Sequence, residues 1–271
     1  MLDMLKKPLA FIKKDFLIES SYKLSFIFRL FSVLVTILTY FFIDKLFGHK
    51  IVGHLEPFGV NYFSYVLLSM AFFSYIGVGL GSFSSRIRFE QMQGTLEALF
   101  LTPAKISTIL FSLGLWNLLF ATVDMAIYIA LGIFLFKISF ANVNILSTLV
   151  ILFLTIMSFS SLGILSASFI MVFKQGNPLG WIINSLEGLI GGVYFPITIM
   201  PGWLQFLARF FPITYAIRAV ELAVYQGYAV SQLTKEIGFL LLFSLLLLPL
   251  SFASFKFALK KARQQGSLVQ Y

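Results

Sequence analysis

The chain has no cysteine and only two histidines, and charged residues make up just 11% of it. Without cysteine there are no disulfides, no thiol catalysis and no thiolate metal sites, although the compartment stays open. Both histidines, His49 and His54, fall in one loop and far from any serine buried in an apolar run, so a serine–histidine dyad within the membrane is excluded. They could join Glu56 as metal ligands, but a five-residue gap does not align two histidines on one helical face, and solvated loop residues are the simpler reading. No Gly-x-x-x-x-Gly-Lys-Ser/Thr phosphate cradle occurs, which removes the usual route to ATP binding. The low charge, far under the roughly 25% of ordinary soluble domains, comes with 59% apolar residues, including 33 Phe and 11 Tyr. This composition is that of an integral membrane protein, with aromatic rings suited to lipid and to the bilayer interfaces.

A length of 271 residues accommodates one membrane domain of several spans at about 20 residues each. Six apolar segments are predicted, over 25–43, 61–82, 106–136, 146–172, 178–195 and 236–258. The run from Lys174 to Pro178 (Lys-Gln-Gly-Asn-Pro) reads as a tight turn between the fourth and fifth. The first span starts after about 24 residues with no small-residue cleavage site, so the N-terminus reads as mature sequence. Within those residues Leu5, Leu9, Ile12 and Phe16 form one stripe opposite Lys7 and Lys14. This predicts an amphipathic helix lying in the headgroup plane over 1–24, the alternative being a basic tail that only sets orientation.

Orientation follows from the basic residues. With the N-terminus inside, 13 of the 20 Lys and Arg residues fall on the cytoplasmic side, among them Lys6, Lys7, Arg86, Arg88, Lys105 and Lys261. Six fall outside (Lys45, Lys50, Lys137, Arg209, Arg218 and Lys235), and Arg29 lies inside the first span. Both termini are therefore expected in the cytoplasm, with residues 259–271 as a cytoplasmic tail. The net charge of +9 is spread along the membrane faces, where it meets lipid headgroups, and gives no reason to invoke nucleic acid.

Two segments interrupt the apolar pattern. Between the second and third spans, within a predicted coupling segment at 83–105, lies Glu90-Gln-Met-Gln-Gly-Thr-Leu-Glu-Ala-Leu-Phe-Leu-Thr-Pro103. Gly94 and Thr95 can open a helix with Thr95 as N-cap, and Pro103 ends it. The expected product is a helix of about two turns presenting an apolar ridge from Leu96, Leu99, Phe100 and Leu101, with Leu99 and Phe100 exposed. Glu90, Glu97 and Thr102 flank it, forming a surface that a partner groove could grip. Before the last span, residues 193–218 hold Tyr194, Phe195, Pro196, Pro201, Trp203, Pro212 and Tyr215. The prolines there forbid one straight helix. Short helices dipping into the outer leaflet are predicted, with Trp203 and Tyr215 as interface anchors.

Two carboxylates lie inside apolar spans, Asp124 in the third and Glu187 in the fifth. Charge there is costly and usually faces protein or water. Two readings are open: a proton or cation relay, or polar contacts between helices, with Asn117 and Asn184 as neighbouring partners. Gly77-x-x-x-Gly81 and Gly188-x-x-x-Gly192 permit close helix approach within the subunit or to a second copy.

The order of these elements resembles the ABC type-2 permeases, the membrane subunits of ATP-driven exporters. The resemblance covers essentially the whole chain. It is carried by Gly94-Thr-Leu-Glu97 with Thr102-Pro103, by Tyr194-Phe-Pro-Ile, by Met200-Pro-Gly-Trp-Leu204 and by Pro212-Ile-Thr-Tyr215. It implies an all-α membrane protein of six spans with an interfacial N-terminal helix, a cytoplasmic coupling helix and re-entrant external helices. It also implies two soluble ATPase subunits that bind ATP and Mg, with no cofactor on this chain. The other partners would be a second permease copy or close paralogue and membrane lipids, in a bacterial or archaeal cell membrane. The implied cargo is a hydrophobic or amphipathic molecule such as a drug, lipid, glycolipid or glycan-lipid. The first span lacks the Trp-rich segment of O-antigen and teichoic-acid exporters, which points to the drug and small-lipid branch. Two rivals remain: an ion- or proton-coupled transporter using Asp124 and Glu187, and a membrane anchor for a soluble partner that moves nothing.

Overall fold

The computed structural model describes residue 17 and residues 23–46, 53–102, 106–173, 185–186 and 188–264. The predicted interfacial helix over 1–24 lies almost wholly outside the described residues. Of the predicted span at 178–195, residues 178–184 and 187 lie outside them, Asn184 and Glu187 included; 185–186 and 188–190 are helical, and 191–195 form turns and bends, so the helix ends before the expected boundary at 195. Among the described residues there are helices and no strand. Eight α-helices follow in order: α1 (Lys23–Leu46), α2 (Tyr62–Met92), α3 (Leu96–Leu101), α4 (Ile106–Phe136), α5 (Ile145–Phe173), α6 (Gly202–Ala208), α7 (Pro212–Tyr225) and α8 (Thr234–Gln264). Short 3₁₀ turns occupy Gly53–Phe58 and Ile197–Ile199.

Five of these helices, α1, α2, α4, α5 and α8, are long and apolar enough to cross a membrane. At about 1.5 Å per residue, a 31-residue helix such as α2 or α8 reaches about 46 Å against a hydrocarbon core of about 30 Å. Such helices tilt or project beyond the lipid. The second span was expected to stop at 82, yet α2 continues to Met92, because no glycine or proline interrupts the helix between Ser82 and Gln93. α8 likewise runs on to Gln264, into the segment assigned to the tail.

The helix starts have local causes. Asn61 caps α2, its Oδ1 accepting from the Ser64 amide at 3.1 Å, and Asn144 caps α5 by accepting from Ser147 at 3.1 Å. The prolines of the 193–218 region break the chain into short helices by starting them. Pro196 and Pro201 precede the second 3₁₀ turn and α6, and Pro212 opens α7, where its missing N–H costs nothing.

α2 is the central helix, with 67% of its apolar window buried, against 17% for α1 and α8 and 22% for α4. α5 packs on one side of it and α4 on another, α1 lies against α2 and α4, and α8 packs along α5. α2 and α5 approach each other tightly at Gly163, where a Cβ would lie 2.5 Å from the Gly79 carbonyl oxygen. Close backbone contact of this kind maximises van der Waals packing, the main attraction where lipid and side chains are equally apolar. The paired glycines are thus Gly79 and Gly163. At Gly77 and Gly81 a Cβ would meet nothing within 4 Å, so among the described residues that pattern packs against no other helix.

The bundle has two ends. At one, α7 lies across α5, α8 and α2 and buries Ile213, Ala216, Ile217 and Val220 against Phe72, Phe159 and Leu240. At the other, α3 caps a cluster of Phe83, Ile87, Leu110, Met171, Phe255 and Leu259.

Candidate functional site

At the α3 end, α2 closes with paired hydrogen bonds. The Thr95 amide donates to the Glu90 carbonyl and the Gly94 amide to that of Gln91, both at 3.0 Å. Gly94 takes φ +67°, the left-handed backbone this closure requires. Gly94 therefore ends α2 and does not open α3. Thr95 does stand at the N-cap of α3, but its hydroxyl makes no capping bond. It turns back to the Glu90 carboxylate instead. Glu90 is buried and lies 3.5 Å from the Arg86 guanidinium, so it is not the exposed acidic flank expected.

The apolar ridge is also corrected. Leu96 is fully buried and Phe100 is 7% exposed, four residues apart and both inside the cluster at this end. Leu99 is only partly buried against it. Helical spacing put Leu96 and Phe100 on one face, and that face points into the bundle. Glu97, Ala98 and Thr102 are exposed, Leu101 is 75% exposed, and Met92 at the end of α2 is 67% exposed. Arg263 of α8 donates to the Phe100 carbonyl at 3.2 Å, which ties α3 to the last turn of α8. Pro103 lies outside the described residues.

At the opposite end, Trp203 is 65% exposed on α6. Tyr215 is buried instead. Its hydroxyl donates to the Arg209 carbonyl at 3.0 Å and its ring stacks on Phe239 at 4.5 Å. Tyr194 stacks on Tyr40 of α1, Phe195 packs with Met200 and Ala208, and Pro196 is buried. α7 is fastened to the loops around it: Gln226 donates to the Phe58 carbonyl at 2.7 Å, and the Tyr225 hydroxyl to that of Ser64 at 2.8 Å.

Of the two intramembrane carboxylates, Asp124 lies in the described structure, and its partner is not Asn117. The Arg29 guanidinium of α1 donates to it, bridging α1 and α4. Arg29 also sits over the Phe120 ring, 4.4 Å from its centroid. Asn117 instead lines a cleft of about 330 Å³ together with Arg29, Gly77, Gly81, Ser82 and Trp116. Three buried carboxylates were not singled out from the sequence. Glu221 on α7 is fully buried and accepts from the Ser69 hydroxyl of α2 at 2.8 Å. Asp44 is fully buried at the end of α1 and accepts from the Asn61 side chain at 3.2 Å. Glu236 is buried 3.3 Å from Arg218. An acidic residue inside an otherwise apolar stretch was the available signal for Glu221. Its partner is 152 residues away in the chain.

Long apolar helices around a central span, with polar pairs buried between them, define a multi-pass helical membrane protein. The ABC-2 type transporter family matches residues 9–225, and the chain belongs to that family: it is a transporter permease subunit. Comparison with curated proteins returns no match.

Proposed function

We propose that the chain is the membrane half of an ATP-driven exporter. It pairs with a second permease copy or close paralogue, and two soluble ATPase subunits grip its α3 end. In this reading the α3 end and both termini are cytoplasmic, as the distribution of basic residues favours, and α7 lies on the outer side. The cargo is hydrophobic or amphipathic and leaves the cytoplasm or inner leaflet.

The observation that carries the reading is the way α3 is mounted. Leu96 and Phe100 root it among side chains of α2, α4, α5 and α8, and Arg263 ties it to α8. Force applied to so short and well anchored a helix passes to the long helices as bodies. The outer surface left for a partner is Met92 and Leu101 with Glu97 beside them. The ion pair with Arg29 gives Asp124 a structural partner, which supports the permease over a relay through that carboxylate.

The test is co-purification of the ATPase subunit together with substrate-stimulated ATP hydrolysis. Met92→Ala/Leu101→Ala is expected to weaken association at least tenfold, as loss of exposed apolar anchors does. Glu97→Lys should also weaken it by reversing a charge at the contact. The melting temperature of the permease should stay unchanged in both. Normal recovery and normal stimulation in both variants would remove the coupling role from α3.

A further inference from the structure

At the α7 end a cavity of about 550 Å³ opens between the first 3₁₀ turn, the loop at 191–198, α6, α7 and the start of α8. Its size suits a small ligand or headgroup. The charged groups around it are Arg209, Arg218, Lys235 and one carboxylate, Glu236, with His54 at the rim. Arg218 is held by Glu236 at 3.3 Å. Among the described residues neither Arg209 nor Lys235 has an ion-pair partner, so the cavity carries a surplus of positive charge.

Two further observations make the surplus informative. Three of the six basic residues assigned to the less basic side of the membrane (Arg209, Arg218 and Lys235) meet at this one cavity. Next to it, α6 and the residues after it expose Trp203 (65%), Phe206 (58%) and Phe210 (63%). A cationic cup beside an exposed aromatic face matches a molecule with an anionic head and an apolar body.

We propose that this cavity binds a phosphate ester through Arg209, Lys235 and Arg218. Guanidinium groups form paired hydrogen bonds to phosphate oxygens, and an ammonium adds point charge. The phosphate comes either from an anionic lipid headgroup, whose chains lie along Trp203, Phe206 and Phe210, or from a free phosphate ester. The site names a ligand class for the permease and rests on the exporter reading only for the leaflet concerned.

The experiment uses the full chain in neutral maltoside micelles, titrated by calorimetry with short-chain phosphatidylglycerol, phosphatidylcholine of the same chain length, and glycerol phosphate. Phosphatidylglycerol is expected to bind wild type at least tenfold more tightly than phosphatidylcholine. Arg209→Gln/Lys235→Gln should lose at least tenfold in that affinity, with an unchanged melting temperature because both side chains are exposed. Glu236→Gln, which frees Arg218, should bind more tightly. Lys256→Gln/Lys260→Gln on α8 nearer the α3 end should behave as wild type. Glycerol phosphate binding as tightly as the lipid would assign the free ester as the source, and much weaker binding would assign the lipid. Equal phosphatidylglycerol affinity in wild type and Arg209→Gln/Lys235→Gln would overturn the site. ATPase recovery is read separately, so failure here leaves the exporter reading intact.

Discussion

The guanidinium of Arg29 donates to the carboxylate of Asp124, joining α1 to the middle of α4. Asp124 is nearly buried, while Arg29 keeps about a third of its side chain exposed, at 8% and 35%. Removing one partner strands the other charge, which costs about 3–5 kcal/mol in a buried pair and less where one side is open. Asp124→Asn and Arg29→Gln should each lower the melting temperature in micelles, by an amount equivalent to roughly 1–3 kcal/mol. The reversed pair Arg29→Asp/Asp124→Arg should recover part of the loss. A double-mutant cycle with strictly additive effects would show that the pair contributes no coupling.

Gly163 tests the α2–α5 contact. An added methyl group would approach the carbonyl oxygens of Gly79 and Leu80 at 2.5 and 2.8 Å, and backbone cannot swing aside as a side chain can. Gly163→Ala should therefore destabilise the fold by ~1–3 kcal/mol through overpacking. Gly77→Ala and Gly81→Ala meet open space and should leave thermal stability unchanged. Equal melting temperatures for Gly163→Ala and wild type would refute the close approach.

On α3, neighbouring residues should behave oppositely. Phe100→Ala empties a buried position and should cost ~3–5 kcal/mol, and Leu96→Ala ~2–5 kcal/mol. Leu101, 75% exposed, should tolerate Ala within about 0.5 kcal/mol. Chemical or thermal unfolding of the purified permease decides this, and destabilisation by Leu101→Ala as large as by Phe100→Ala would reverse the assigned faces.

Glu221 and Ser69 make the fourth test. Glu221→Gln keeps the shape and an acceptor for the Ser69 hydroxyl while removing a carboxylate from a fully buried site. It should fold at least as stably as wild type. Ser69→Ala leaves that carboxylate short of a donor and should cost ~1–3 kcal/mol, and Glu221→Lys should abolish folded protein. Size-exclusion profiles and melting curves separate the three. Severe loss in Glu221→Gln would mean that the charge itself is required.

Much of the architecture was legible beforehand because it depends on local composition. Apolar runs of span length marked α1, α4 and α5 to within a few residues, and the start of α8 likewise, although α8 runs six residues past its expected end. The prolines at 196, 201 and 212 marked the short helices because a missing N–H is tolerated only at a helix start. α2 ran long because the expected boundary followed polarity, and Ser84, Ser85, Arg86 and Arg88 are polar without breaking a helix. At α3 the expected ridge of Leu96, Leu99, Phe100 and Leu101 divides, with Leu96 and Phe100 buried and Leu101 exposed. Periodicity says that a face is apolar, but not whether a partner or the chain's own core covers it.

By itself, then, the sequence determined membrane class, the long apolar helices α1, α4, α5 and α8, the proline starts of the short ones and the family, all of which arise from residues near one another in the chain. Only the tertiary structure decided which polar groups meet. Arg29 with Asp124, Ser69 with Glu221, Asn61 with Asp44 and Gly79 with Gly163 join residues on different helices. So does the meeting of Arg209, Arg218 and Lys235 at one cavity. The reason is physical: in an apolar surrounding a buried polar group must find a partner wherever packing brings one within reach, and that reach is set by how helices lie side by side.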